Sequence, residues 1–93
     1  MLKAVTGAET EINLPEHFKE LNVQMFGSEM TYVWNLYKHS ITSTDKRLIQ
    51  GYSGSINPNY ASFYVNNNRI KIDAFVEKNV SKTNIAVTTV WYR

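Results

Sequence analysis

Apolar and polar residues alternate one for one along much of this chain, and a period of two fits an extended strand with one face buried and the other wet. Ile12 and Leu14 alternate with Glu11 and Asn13. Leu21, Val23 and Met25 alternate with Asn22 and Gln24, and Tyr32, Trp34 and Leu36 share a face opposite Thr31, Val33 and Asn35. The second half repeats the pattern. Ala61, Phe63 and Val65 form one stripe, and Ile70, Ile72, Ala74 and Val76 another, opposite Arg69, Lys71, Asp73 and Phe75. The run from Ile85 to Tyr92 is β-branched and aromatic almost throughout, so it reads as a strand buried on both sides. Trp34 and Trp91, in the middle of strong strands, are expected in the core.

The connecting segments carry turn chemistry. Asn66-Asn67-Asn68 lies between two alternating runs and reads as a hairpin loop, because asparagine accepts positive φ more readily than any residue except glycine. Pro15 to Glu20 suits one short helical turn, with proline at a first helical position and early glutamate. Ser43 to Lys46 looks like a turn, and Arg47 to Tyr52 reads either as a strand or as irregular chain. Gly51, Gly54 and Asn57-Pro58-Asn59 then punctuate a loop. About seven short strands at intervals of about ten residues predict a single all-β domain over 1–93, a small antiparallel β-sandwich. The competing fold is α+β with one N-terminal helix over 15–26, since Phe18, Leu21 and Met25 also fall at helical spacing.

The raw material for catalysis is thin. The chain has no cysteine, so neither a disulfide framework nor a thiolate metal site is available, and stability must come from apolar packing or from association. His17 lies beside Glu16 and Glu20, and His39 follows Lys38; neither belongs to a metal or catalytic motif. The carboxylates Glu9, Glu11, Glu16, Glu20, Glu29, Asp45, Asp73 and Glu77 lack the alternation of a calcium loop. Gly51-Tyr52-Ser53-Gly54 has neither the lysine nor the spacing of a phosphate cradle. We therefore expect no enzyme, no metal and no cofactor. A net charge of +2 is too weak for a nucleic-acid partner, and no apolar run reaches the roughly 18 residues that insertion into a membrane requires.

Aromatic residues remain as the distinctive resource. Tyr37, Tyr52, Tyr60, Tyr64, Phe75 and Tyr92 stand out of phase with the most apolar faces or in loops. Tyrosine and tryptophan beside asparagine suit saccharides, since rings stack on the C–H face of a sugar while amides bond its hydroxyls. The competing role for the same side chains is to finish the core or fill an oligomer interface. On this reasoning the candidate ligand contacts are Tyr52, Asn57, Asn59, Tyr60 and Tyr64, with Asn66, Asn67 and Asn68 at a tip.

Three groups of residues carry a family resemblance. They are Thr10-Glu11-Ile12-Asn13-Leu14-Pro15 leading into Phe18-Lys19-Glu20-Leu21, then Ile41-Thr42-Ser43-Thr44-Asp45-Lys46 followed by Gly51-Tyr52, and last Thr89-Val90-Trp91-Tyr92-Arg93. In this order the chain resembles the C-terminal head domains of tail fibres and other receptor-binding proteins of phages and prophages of Gram-positive hosts. The resemblance implies a β-sandwich at the tip of a homotrimeric fibre in the virion, recognising host surface polysaccharide or another cell-surface ligand. Two alternatives stand beside it: a structural trimerisation knob without ligand, and a small inhibitor or host-takeover protein that binds another protein.

Overall fold

The structure is a computed structural model that describes residues 2–6, 11–83 and 86–93, the first of these as a backbone path. It is all-β, with two antiparallel sheets face to face. The strands are β1 (Leu2–Thr6), β2 (Glu11–Asn13), β3 (Glu20–Phe26), β4 (Thr31–Tyr37), β5 (Lys46–Tyr52), β6 (Asn59–Asn66), β7 (Arg69–Glu77), β8 (Val80–Ser81) and β9 (Val87–Tyr92). One sheet runs β1-β9-β3-β4 and the other β2-β7-β6-β5, with β8 beside the end of β7. Six of these strands coincide with the strand runs read from the sequence, Arg47–Tyr52 falls in the regular strand β5, and β1 and β8 are additional.

Alternation does the work expected of it in most strands. Leu21, Val23 and Met25 of β3, Tyr32 and Trp34 of β4, and Phe63 and Val65 of β6 all face inward and are buried. Two edge-to-face ring pairs join the sheets across the core. Trp34 meets Phe63 at 4.9 Å between centroids, and Tyr32 meets Phe75 at 5.7 Å. Such pairs add about 0.5–1.5 kcal/mol beyond the area they bury.

Pro15 to Phe18 makes a single turn closed by the Phe18 amide on the Pro15 carbonyl, and β3 continues from Glu20, so no helix spans 15–26. Phe18 instead drops into the core from the turn. Among the described residues the one 3-10 turn lies at Lys38–Ser40, which the pattern did not mark.

Two expectations about facing need correction. In β7 the inward stripe does not run Ile70, Ile72, Ala74, Val76. Ser62 pairs with Ala74 while Phe63 pairs with Ile72, leaving Asp73 as an extra residue. This bulge shifts the phase by one, so Phe75 and Glu77 turn inward, 1% and 2% exposed, while Ala74 and Val76 are only half-buried. The Asp73 carboxylate accepts the Ser62 hydroxyl at 2.7 Å and the Arg47 guanidinium at 3.1 Å. The last strand is also not buried on both sides. Thr88 and Val90 face in, whereas Val87 and Trp91 are exposed; Ile85 lies outside the described residues.

The re-phased end of β7 ties the sheets together. Glu77 accepts the Ser28 amide at 3.0 Å, the Ser28 hydroxyl at 3.1 Å and the Glu29 amide at 2.9 Å, all from the turn between β3 and β4. A side chain at Gly27 would collide with the Phe75 ring and the Glu77 carboxylate, so the close approach requires glycine there. Burial by itself raises the Glu77 pKa, but hydrogen bonds from Glu29, Ser28 and Met30 outweigh it and hold the carboxyl below its ordinary value.

Because the folded pKa is the lower one, Glu77 stabilises the protein above the unfolded value of about 4.3, and this contribution fades as pH falls through the folded pKa. Glu77→Ala should lower the unfolding free energy at pH 7 by about 2–3 kcal/mol. Urea titrations at pH 7 and pH 3.5 check this: the variant should lose less stability on acidification than the parent.

Candidate functional site

Opposite faces of each strand lead separate lives, and the outward face of the β1-β9-β3-β4 sheet is the richer in binding chemistry. Register places Asn22 of β3 between Asn35 of β4 and Trp91 of β9. Side chains directly opposite one another sit about 4.5–5.5 Å apart at Cβ, so these three form one row across the sheet. The Asn22 amide donates to the Asn35 carbonyl oxygen at 2.7 Å. Gln24, two residues along the same face, donates to the Asn22 carbonyl oxygen at 2.9 Å.

Three amides thus form a ladder in which every bond points the same way. Its ends are unspent among the described residues: the Asn35 Nδ2 hydrogens at one and the Gln24 Oε1 at the other. Chained hydrogen bonds polarise one another, and holding the amides in place before a ligand arrives removes the ordering cost of fixing them on binding.

Rings flank the ladder. Trp91 is 48% exposed and stands beside Asn22. Tyr37, at the end of β4, is exposed and stacks on the His39 imidazole at 5.7 Å with 17° between the planes. Between them Glu20 pairs with the Arg93 guanidinium. The carboxylate's hydrogen bond and charge hold that guanidinium still more firmly protonated than usual. Asn22, Asn35, Trp91, Tyr37, Glu20 and Arg93 line part of an open groove of about 450 Å³, within the range of small-ligand sites. Amides, a carboxylate, a guanidinium and two rings can hydrogen-bond and stack. His39 packs against the Tyr37 ring, and among the described residues no three His, Asp or Glu side chains gather as a metal would require.

The residues singled out from the sequence do not converge on one place. Tyr52, Asn57, Asn59 and Tyr60 lie at the end of the β2-β7-β6-β5 sheet where β5 stops and β6 starts. Asn66, Asn67 and Asn68 lie at the other end of β6, about 23 Å away at 3.3 Å per residue. Tyr64 is between them, lining a separate polar groove of about 360 Å³ with Glu11, Asp45, Arg69 and Lys71.

Several of these amides are committed to the fold. Asn59 accepts the Lys78 amide at 2.7 Å and donates to the Asn57 carbonyl at 3.2 Å. Asn66 donates to Asp45, Asn67 accepts the Lys38 ammonium, and Asn68 donates to the Leu14 carbonyl. Asn57 and Asn67 have φ of 48° and 53°, the left-handed backbone that favours asparagine in turns. The Tyr52 ring folds back over Gly54.

Asn22, Asn35 and Trp91 escaped the sequence reading, although a signal was present. Asn22 and Asn35 occupy the polar phase of their strands, and Trp91 shares its phase with Val87 and Thr89. The β-branched and aromatic character of the last strand on both of its faces hid which phase faced water.

The two tryptophans should therefore part company on mutation. Trp34 is 7% exposed, and Trp34→Ala should cost about 3–5 kcal/mol, as core truncations of large rings do. Trp91→Ala should cost less than about 1 kcal/mol. Urea unfolding of the two variants, followed by far-UV circular dichroism, checks the contrast. In comparisons with known proteins no family model, curated protein or solved structure matches the chain.

Proposed function

We propose that this protein is a non-catalytic saccharide-recognition domain whose ligand lies along the Trp91–Asn22–Asn35–Tyr37 groove. The observation that carries this reading is the polarised amide ladder set between two exposed rings. A sugar presents an apolar C–H face and a rim of hydroxyls, and the groove offers a ring for the former and amide donors and acceptors for the latter. Asn35 is exposed and Asn22 and Gln24 are half-buried, so none of the three amides is enclosed in the core.

The resemblance to phage tail-fibre heads supplies the biological setting of this proposal: a host-surface polysaccharide as ligand and a trimeric fibre in the virion as assembly. A single shallow groove binds weakly. Three copies on one fibre meeting a repetitive surface convert weak contacts into firm adsorption.

The structural-knob reading has one observation in its favour. Phe26, Val33 and Val87 are also exposed and on the same outward face, an apolar continuation of the groove that a neighbouring copy would cover.

A glycan-array screen followed by fluorescence titration of the best hit separates the two. Trp91→Ala and Asn22→Ala should each weaken binding at least about tenfold, roughly 1.4 kcal/mol, with the fold retained. A protein that associates in light scattering, binds no glycan and dissociates on Val33→Asp would overturn the saccharide reading and establish the knob.

A further inference from the structure

The two ends of the groove differ in hydrogen-bonding character, and the difference narrows the ligand. Within the row of Glu20, Tyr37 and Arg93, the guanidinium commits its Nε to Glu20. Its two terminal nitrogens have no partner among the described residues, and the side chain is 80% exposed. The Asn35 amide accepts from Asn22 through its oxygen, so its Nδ2 hydrogens are unspent beside the same corner. Tyr37 adds a hydroxyl, stands directly opposite Glu20 in the strand register and lines the same groove as Arg93. Donors therefore outnumber acceptors at this end, and a neutral sugar hydroxyl, itself both donor and acceptor, is not the group that uses them best.

From this surplus of donors we infer that the saccharide carries a carboxylate, as a uronic acid does, and that the Arg93–Asn35–Tyr37 corner receives it. The inference rests on the saccharide reading above and adds the ligand's charge. With Nε held by Glu20, the guanidinium keeps its end-on edge, two parallel N–H groups that match the two oxygens of a carboxylate. Glu20 acts as the positioning residue, since its bond fixes the plane of the fork.

Glu20 also limits what higher charge can gain. Because it offsets much of the Arg93 charge, the second negative charge of a phosphate monoester gains little at this corner while costing more to desolvate than the single charge of a carboxylate. The row of Trp91 and Asn35 lies two residues along β4 from Tyr37, about 7 Å. A ring stacked on Trp91 therefore presents its carboxylate, or that of the next sugar, to the corner.

The test uses the full chain labelled with 15N and three probes of one stereochemistry: glucose, glucuronate and glucose 6-phosphate. Shifts of the Trp91 indole, the Asn35 side-chain amide and the Arg93 Nε–H are followed by NMR at pH 7. Glucuronate should bind about tenfold tighter than glucose and tighter than the phosphate. Arg93→Ala should remove most of the preference for glucuronate over glucose, and Arg93→Lys should recover part of it, since it keeps the charge and loses the fork. Equal binding of glucose and glucuronate, or preference for the phosphate, would overturn the carboxylate while leaving the saccharide site in place. Shifts from none of the three would overturn both.

Discussion

A single extra residue in β7 organises this sandwich. Without a bulge, period-two alternation would carry Ala74 and Val76 inward and leave Phe75 and Glu77 facing water. With Asp73 looped out against Ser62 and Arg47, Phe75 reaches Tyr32 of the opposite sheet and Glu77 reaches the turn between β3 and β4. One face of the joint is dispersion and ring geometry; the other is charge-assisted hydrogen bonding to backbone amides. The bulge residue is itself polar and held by two partners, so the ladder bonds lost at that point are partly replaced by side-chain bonds. Strands β3 and β4, which carry the amide row, are thereby fastened to the second sheet at their turn.

That fastening bears on the groove. The amides of Asn22, Gln24 and Asn35 sit on two strands paired along their whole length and anchored below by Leu21, Val23, Met25 and Trp34. A site on such strands is more rigid than one on loops. The outer edge of β4 is managed as well, since the Gln50 side chain donates to the Val33 carbonyl at 2.6 Å. A satisfied edge carbonyl is a poorer template for another strand, which favours use of the outward face over edge-to-edge pairing.

The asparagines show how one residue type divides between two jobs. Those in turns, Asn57, Asn67 and Asn68, serve backbone geometry and cross-loop bonds, and Asn59 and Asn66 tie strand ends to neighbouring segments. Those in mid-strand, Asn22 and Asn35, serve no turn and contribute little to burial, so their amides are available at the surface. Composition alone counts all of them together. Position within an element separates them, because a turn asparagine is near its own backbone while a mid-strand asparagine faces only the neighbouring strands.

The order of apolar and polar residues by itself determined that the chain is all-β, which residues of β3, β4 and β6 face inward, and where the Asn67–Asn68 turn falls. Each of these is local: a period of two or a turn propensity can be read within a few residues. Register, bulge and strand order were decided only in three dimensions, because pairing joins positions as distant as Asn22 and Trp91. For that reason the run over 70–76 read as a single stripe although Asp73 breaks it, and Trp91 read as core although its strand turns that side to water. The groove belongs to the second category. Its residues come from β3, β4 and β9, and nothing local to any one of those segments places them side by side.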